Sequence, residues 1–137
     1  MKAEIEAKAE NLYEINKICE GFIDEKTRST LSYETLLVAI EEIFVNITSY
    51  AYQGKSGKAV FEIEYIGKNR VRVQFSDSGE PFDPLEFDSN KKAESNLQSL
   101  IPGGLGIRLV KRITENLSYH YENGKNILSF EKTMEEM

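Results

Sequence analysis

Apolar and polar residues alternate with a period of two in five stretches of this chain and recur with a helical period in three others. Ala3, Ile5 and Ala7 alternate with charged residues from Lys2 to Lys8, which predicts a short first strand. Asn11 to Lys26 puts Leu12, Ile15, Ile18, Cys19, Phe22 and Ile23 on one helical stripe. A polar connection follows, and Ser32 then offers an N-cap for a second helix reaching about Tyr52. Its apolar face is Leu36, Leu37, Ile40, Ile43, Phe44 and Ile47, and Gln53 to Lys58 forms the loop after it. Lys58 to Ile66 and Arg70 to Ser76 alternate again, and the short link Gly67-Lys68-Asn69 predicts an antiparallel hairpin.

Residues 85–102 lack either period and are rich in Ser, Asn, Lys and Glu. An aperiodic stretch of that length within one domain reads as a functional lid or a disordered insertion. Gly103 to Gly106 then opens a third helix with Ile107, Val110 and Ile113 on its buried side and Glu115 near its end. Leu117 to Tyr121 and Asn126 to Lys132 flank Asn123-Gly124, a strong hairpin signal. The order of elements predicts an α+β class: a two-layer α/β sandwich, its sheet mixed or mostly antiparallel, with the helices on one face. The 137 residues are read as a single domain.

Composition narrows the function. Hydrophobic residues at 40% and charged residues at 29% are those of a folded globular chain. A net charge of −6 argues against a basic face for nucleic acid, and requires that an anionic ligand be held by backbone N–H groups and a bound cation. No apolar run is long enough to span a bilayer and the first residues lack the apolar core of a signal peptide, so no membrane association and a cytoplasmic location are expected. One cysteine, Cys19, and one histidine, His120, provide neither a zinc cluster nor a Cys/His catalytic pair. Cys19 lies on an apolar helix stripe and reads as packing.

Three stretches carry candidate chemistry. Asp77-Ser-Gly-Glu-Pro-Phe-Asp-Pro84 follows the strand that ends near Ser76. Asp77, just past that strand, can accept a hydrogen bond from an amino group, Gly79 allows a flat ligand close to the backbone, and Phe82 belongs to the same loop. The alternative is a polar turn. On the second helix Glu42 and Asn46 are one turn apart on one side. The amide oxygen of such a pair can ligate a hard cation such as Mg²⁺ while the carboxylate acts as general base; the alternative is that both face solvent. Gly103, Gly104 and Gly106 precede a helix whose first N–H groups suit a phosphate, or else they hinge the lid.

In that order, Glu-x-x-x-Asn, Asp-x-Gly-x-x-Phe-Asp-Pro and Gly-Gly-x-Gly resemble the N, G1 and G2 boxes of the ATPase superfamily shared by gyrase, the heat-shock chaperones, MutL and histidine kinases. The short lid and the Phe-Asp-Pro ending look most like the anti-sigma factor serine/threonine kinases of bacterial partner switching. The resemblance covers nearly the whole chain. It implies the Bergerat-type ATP-binding fold, ATP and Mg²⁺ as cofactors, and a small anti-sigma factor antagonist phosphorylated on serine in competition with a sigma factor. It implies Glu42 as general base, Asn46 as Mg²⁺ ligand, Asp77 as acceptor of the adenine amino group, Gly79 as the residue that lets the base slide in under the loop, and Gly103, Gly104 and Gly106 around the phosphates. It also implies Ser129 near the adenine, where the family often has threonine. Homodimers are common in that family.

Two features depart from the pattern. Tyr50-Ala51-Tyr52 stands where His-Ala-Tyr is frequent, and the lid has Lys91 and Lys92 but no arginine before the last glycines, Arg108 following them instead. Lysine lacks the bidentate fork of arginine, so a nucleotide-dependent binding module without phosphotransfer is the alternative function. A histidine-kinase catalytic domain and a ligand-free adaptor are weaker alternatives.

Overall fold

The computed structural model describes residues 1–85 and 104–135. Five strands form one sheet: β1 (Lys2–Glu6), β2 (Lys58–Tyr65), β3 (Arg70–Asp77), β4 (Glu115–Glu122) and β5 (Lys125–Thr133). Their order across the sheet is β1-β2-β3-β5-β4, and every pairing is antiparallel. Three helices, α1 (Leu12–Phe22), α2 (Leu31–Asn46) and α3 (Gly104–Ile113), pack on one face, giving the α+β sandwich expected from the element order.

The period of two decides which face is covered. Ala59, Phe61 and Ile63 of β2, Val71, Val73 and Phe75 of β3, and Leu128 and Phe130 of β5 are buried beneath the helices. From the helices come Ile15 and Cys19 of α1, Leu36, Ala39, Ile40, Ile43 and Phe44 of α2, and Val110 of α3. Phe75 is the centre of this layer, with ring centroids 5.2 Å from Phe61 and 6.2 Å from Phe44. Cys19 is fully buried and its thiol is pushed up to about 12 by that burial, as a packing residue should be. The other face is polar, with Arg72 paired to both Glu64 and Glu131 and Arg70 to Glu131 and Glu115.

Several boundaries differ from the sequence expectation. The N-cap of α2 is Thr30, whose Oγ1 accepts from the Tyr33 amide at 3.4 Å. Ser32 lies inside the helix and accepts from the Glu135 amide at 2.8 Å, because the chain end after β5 returns to this point. The first helix stops at Phe22, not Lys26. Glu115 opens β4 rather than closing α3. Asp77 is the last residue of β3, paired with Ala59 and Asn126, rather than the first residue beyond it. At the β4–β5 hairpin Asn123 and Gly124 both have positive φ, 53° and 75°, the geometry that makes Asn-Gly a tight-turn pair.

Candidate nucleotide site

Helix α2 ends at Asn46 and runs directly into a π-helical turn, Ile47–Ala51. Such turns re-aim backbone groups, and this one presents the Ala51 carbonyl to the loop after β3. The Glu80 amide donates to it at 3.1 Å. Gly79 packs so closely here that a Cβ on it would lie 2.6 Å from the Ala51 carbonyl carbon and 2.9 Å from its Cα. Its lack of a side chain is therefore required by protein packing, whether or not a ligand approaches it as the sequence predicts.

The flanking tyrosines complete this seat. The Tyr50 ring is 6.3 Å from that of Phe82. The Tyr52 hydroxyl accepts from the Ser78 amide at 2.9 Å and donates to the Lys58 carbonyl. Tyr50-Ala51-Tyr52, which stands out in the sequence as a departure from the N-box pattern, thus anchors the loop that bears Gly79 and Phe82.

Between this seat and the sheet lies a cavity of about 430 Å³ including its mouth, lined by Asn46, Asp77, Phe82 and Asn126 among apolar walls from Ile43, Ile47, Phe75, Tyr119 and Leu128. A mostly apolar slot with few convergent polar groups is the ordinary form of a small-molecule site. Asp77 is 7% exposed. Burial raises its carboxyl above the usual carboxylate value, against the bonds from Asn126 and the Gly79 amide and the charge of Lys125. Both bonds fall on Oδ1, each at 2.9 Å.

The structure brings together only some of the residues singled out by sequence. Asn46, Asp77 and Phe82 share the cavity. Among the described residues the Asn46 carboxamide has no hydrogen-bond partner, so its oxygen is available to a ligand. Glu42 is half-buried one turn before it, against Gly106 in the first turn of α3. Gly104 is the first residue of α3. Gly103, Lys91 and Lys92 lie outside the described residues, as does most of the 85–102 segment. Arg108 is half-buried on α3.

Ser129 does not belong to the site. It lies between the inward Leu128 and Phe130, so the alternation of β5 sends it to the open face, where its Oγ is 3.1 Å from that of Ser118. The polar residue that β5 contributes is Asn126. A signal for it existed, since Asn126 begins the inward series continued by Leu128 and Phe130, and an amide at a core position implies partners.

The family model described as "Histidine kinase-like ATPase domain" matches residues 5–132. The chain belongs to the histidine kinase-like ATPase family. Relatives with kinase names include the following three. The "Serine-protein kinase RsbW" of Staphylococcus aureus (strain MRSA252) is 23% identical over 130 residues, covering 90% of this chain and 80% of that protein. The protein of the same name from Listeria innocua is 25% identical over 109 residues, covering 74% and 69%. The "Serine/threonine-protein kinase BtrW" of Bordetella bronchiseptica is 30% identical over 95 residues, covering 69% and 66%. The resemblance carried by the three boxes agrees with these matches. The cavity joins α2 to the loop after β3 through Asn46 and Asp77. Among the described residues no helix is long and apolar enough to cross a membrane.

Proposed function

We propose that this chain is an ATP-dependent protein serine/threonine kinase of the anti-sigma factor type, acting on a small antagonist protein and regulating a sigma factor or a similar partner. The observation that carries the reading is the meeting of Asn46 and Asp77, 31 positions apart in sequence, on one mostly apolar cavity within a histidine kinase-like ATPase fold. The names of the relatives supply the reaction class.

In this reading the base enters between Phe82 and the sheet and its amino group meets Asp77. Asn46 fits a Mg²⁺ ion: its carboxamide oxygen is free among the described residues, and Mg²⁺ characteristically takes one or two protein ligands and completes its shell with phosphates and water. A Mg²⁺ ion held by Asn46 would supply positive charge to offset that of the phosphates. Gly104 and the amides at the start of α3 cradle the phosphates, which compensates for a net charge of −6. Glu42, one turn from Asn46, takes the proton of the substrate serine hydroxyl as that oxygen attacks the γ-phosphate, whose bond to the β,γ-bridging oxygen breaks to leave ADP.

The test is incubation of the protein with labelled ATP, Mg²⁺ and its cognate antagonist domain. Transfer of label to an antagonist serine, dependent on the metal, is the expected result. ATP binding without transfer would leave a nucleotide-dependent binding module in place of a kinase.

A further inference from the structure

We propose that Asn126 is a positioning residue that makes the cavity select a base bearing an exocyclic amino group, by binding one oxygen of Asp77 and leaving the other as the only one offered to a ligand. The inference rests on the nucleotide reading above and extends it to a residue that the three boxes do not contain.

Asn126 is the register partner of Asp77 across β3 and β5, and is itself 7% exposed. Its Nδ2 donates to Asp77 Oδ1 and to the Glu80 carbonyl, both at 2.9 Å, with the Gly79 carbonyl at 3.4 Å. Its Oδ1 accepts from the Phe82 amide at 3.0 Å and from the Tyr119 hydroxyl. A flipped carboxamide would set its NH₂ against the Phe82 N–H and its oxygen against three acceptors, so only one orientation satisfies these neighbours. Both hydrogens and both lone pairs are then spent on the protein. Asn126 has nothing left for a ligand and acts through what it holds.

What it holds is the carboxylate and the loop together. Asp77 Oδ1 receives Asn126 and the Gly79 amide, which leaves Oδ2 as the acceptor for an incoming base. An acceptor-only atom in an apolar slot pairs with an amino group such as that of adenine and is repelled by a carbonyl oxygen at the same position, as in hypoxanthine. Discrimination by one buried polar contact of this kind is worth roughly ten- to a hundredfold in affinity. Were Asp77 free to rotate, it could meet water or turn away, and that discrimination would be lost.

The experiment is calorimetric titration of the full chain with Mg-ATP and Mg-ITP, in wild type, Asn126→Ala, Asn126→Asp and Tyr119→Phe, with circular dichroism reporting folding. Wild type should prefer ATP by roughly ten- to a hundredfold. Asn126→Ala and the isosteric Asn126→Asp should bring the ATP:ITP ratio towards one, chiefly by weakening ATP. Tyr119→Phe, which removes one bond and keeps the carboxamide, should move the ratio in the same direction by a smaller factor and decides the matter if both Asn126 variants fail to fold. Variants that lose both nucleotides equally, or a wild type that binds both alike, overturn the role of Asn126 while leaving the nucleotide site standing. A wild type that binds neither nucleotide overturns the nucleotide reading and this inference with it.

Discussion

The carboxylate of Glu42 on α2 rests against the Cα of Gly106 on α3, so that a methyl group at position 106 would overlap Oε1. The two helices thereby fix where the proposed base can lie. Alanine at this position favours the helix by about 1 kcal/mol over glycine, so α3 itself is not weakened by the change. The overlap falls on the far end of a flexible side chain, which swings aside at little cost to the fold. Gly106→Ala should therefore lower phosphate transfer by about a hundredfold while nucleotide affinity stays nearly unchanged. Single-turnover transfer from labelled ATP, set beside a nucleotide titration, checks it; Glu42→Gln should show the same split. Equal loss of binding and transfer would mean that Gly106 serves the phosphates instead.

Gly79 presents the opposite case, because what a side chain would meet there is backbone. A Cβ would stand 2.6 Å from the carbonyl carbon of Ala51, and neither that π-turn nor the loop can yield without breaking the Glu80-to-Ala51 bond. Gly79→Ala should cost about 1–3 kcal/mol of stability, as overpacking does, and weaken nucleotide binding at the same time. Denaturant midpoints and calorimetry on the same samples provide the measurement. Unchanged stability with lost binding would restore the ligand-approach account of this glycine.

Much of this arrangement is legible in the sequence where a period governs it. The alternation in β2, β3 and β5 identifies the inward residues, and the helical stripe of α2 puts Ile40, Ile43 and Phe44 towards them, continued by Ile47 of the π-turn. The same rule, applied along β5, excludes Ser129 and nominates Asn126; a single step in a strand exchanges the faces. Features set by distant backbone are not legible. The seat of Gly79 depends on a π-turn that no local propensity announces, and the setting of Ser32 inside α2, behind the Thr30 cap, depends on the return of Glu135. Asn46 and Asp77 are recognisable as chemistry because their residue types and spacing match the boxes, whereas Tyr50-Ala51-Tyr52 reads only as a departure although it organises the loop.

Tyr52 links three segments through one hydroxyl, which receives the Ser78 amide and gives its proton to the Lys58 carbonyl at the start of β2. Its ring also covers Gly57, where a Cβ would overlap it. Tyr52→Phe keeps the ring and removes the two bonds, both near solvent, so the loss should be about 1 kcal/mol or less. The expected result is a small fall in the denaturant midpoint together with faster amide exchange at Ser78. Exchange at Ser78 unaltered by the substitution would show that the loop is held by Ala51 alone.

In the proposed function Asp77 sets stability against nucleotide binding. Its carboxyl is held above the ordinary value chiefly by burial, which the bonds from Asn126 and Gly79 and the charge of Lys125 only partly oppose. A carboxyl whose folded value exceeds its unfolded one, here near 3.8, binds its proton more readily in the folded state. Its favourable contribution is complete below the unfolded value and is lost as pH rises through the folded one. At neutral pH the ionised group is therefore a cost that folding tolerates. Asp77→Asn removes the charge while the new amide oxygen can still accept from Asn126 and the Gly79 amide, so the variant should be at least as stable as wild type at pH 7. Its advantage should shrink as pH falls below the ordinary carboxylate range, where both side chains are neutral. Nucleotide binding should move the other way. The NH₂ introduced by Asp77→Asn would face the amino group of the base, and ATP affinity should fall by roughly ten- to a hundredfold at neutral pH. In wild type, ATP affinity should likewise decline on acidification, beginning above the usual carboxylate value. Urea midpoints measured across pH for both proteins, with matched ATP titrations, check both arms, and a variant much less stable than wild type at pH 7 would show that the ionised carboxylate supports the fold.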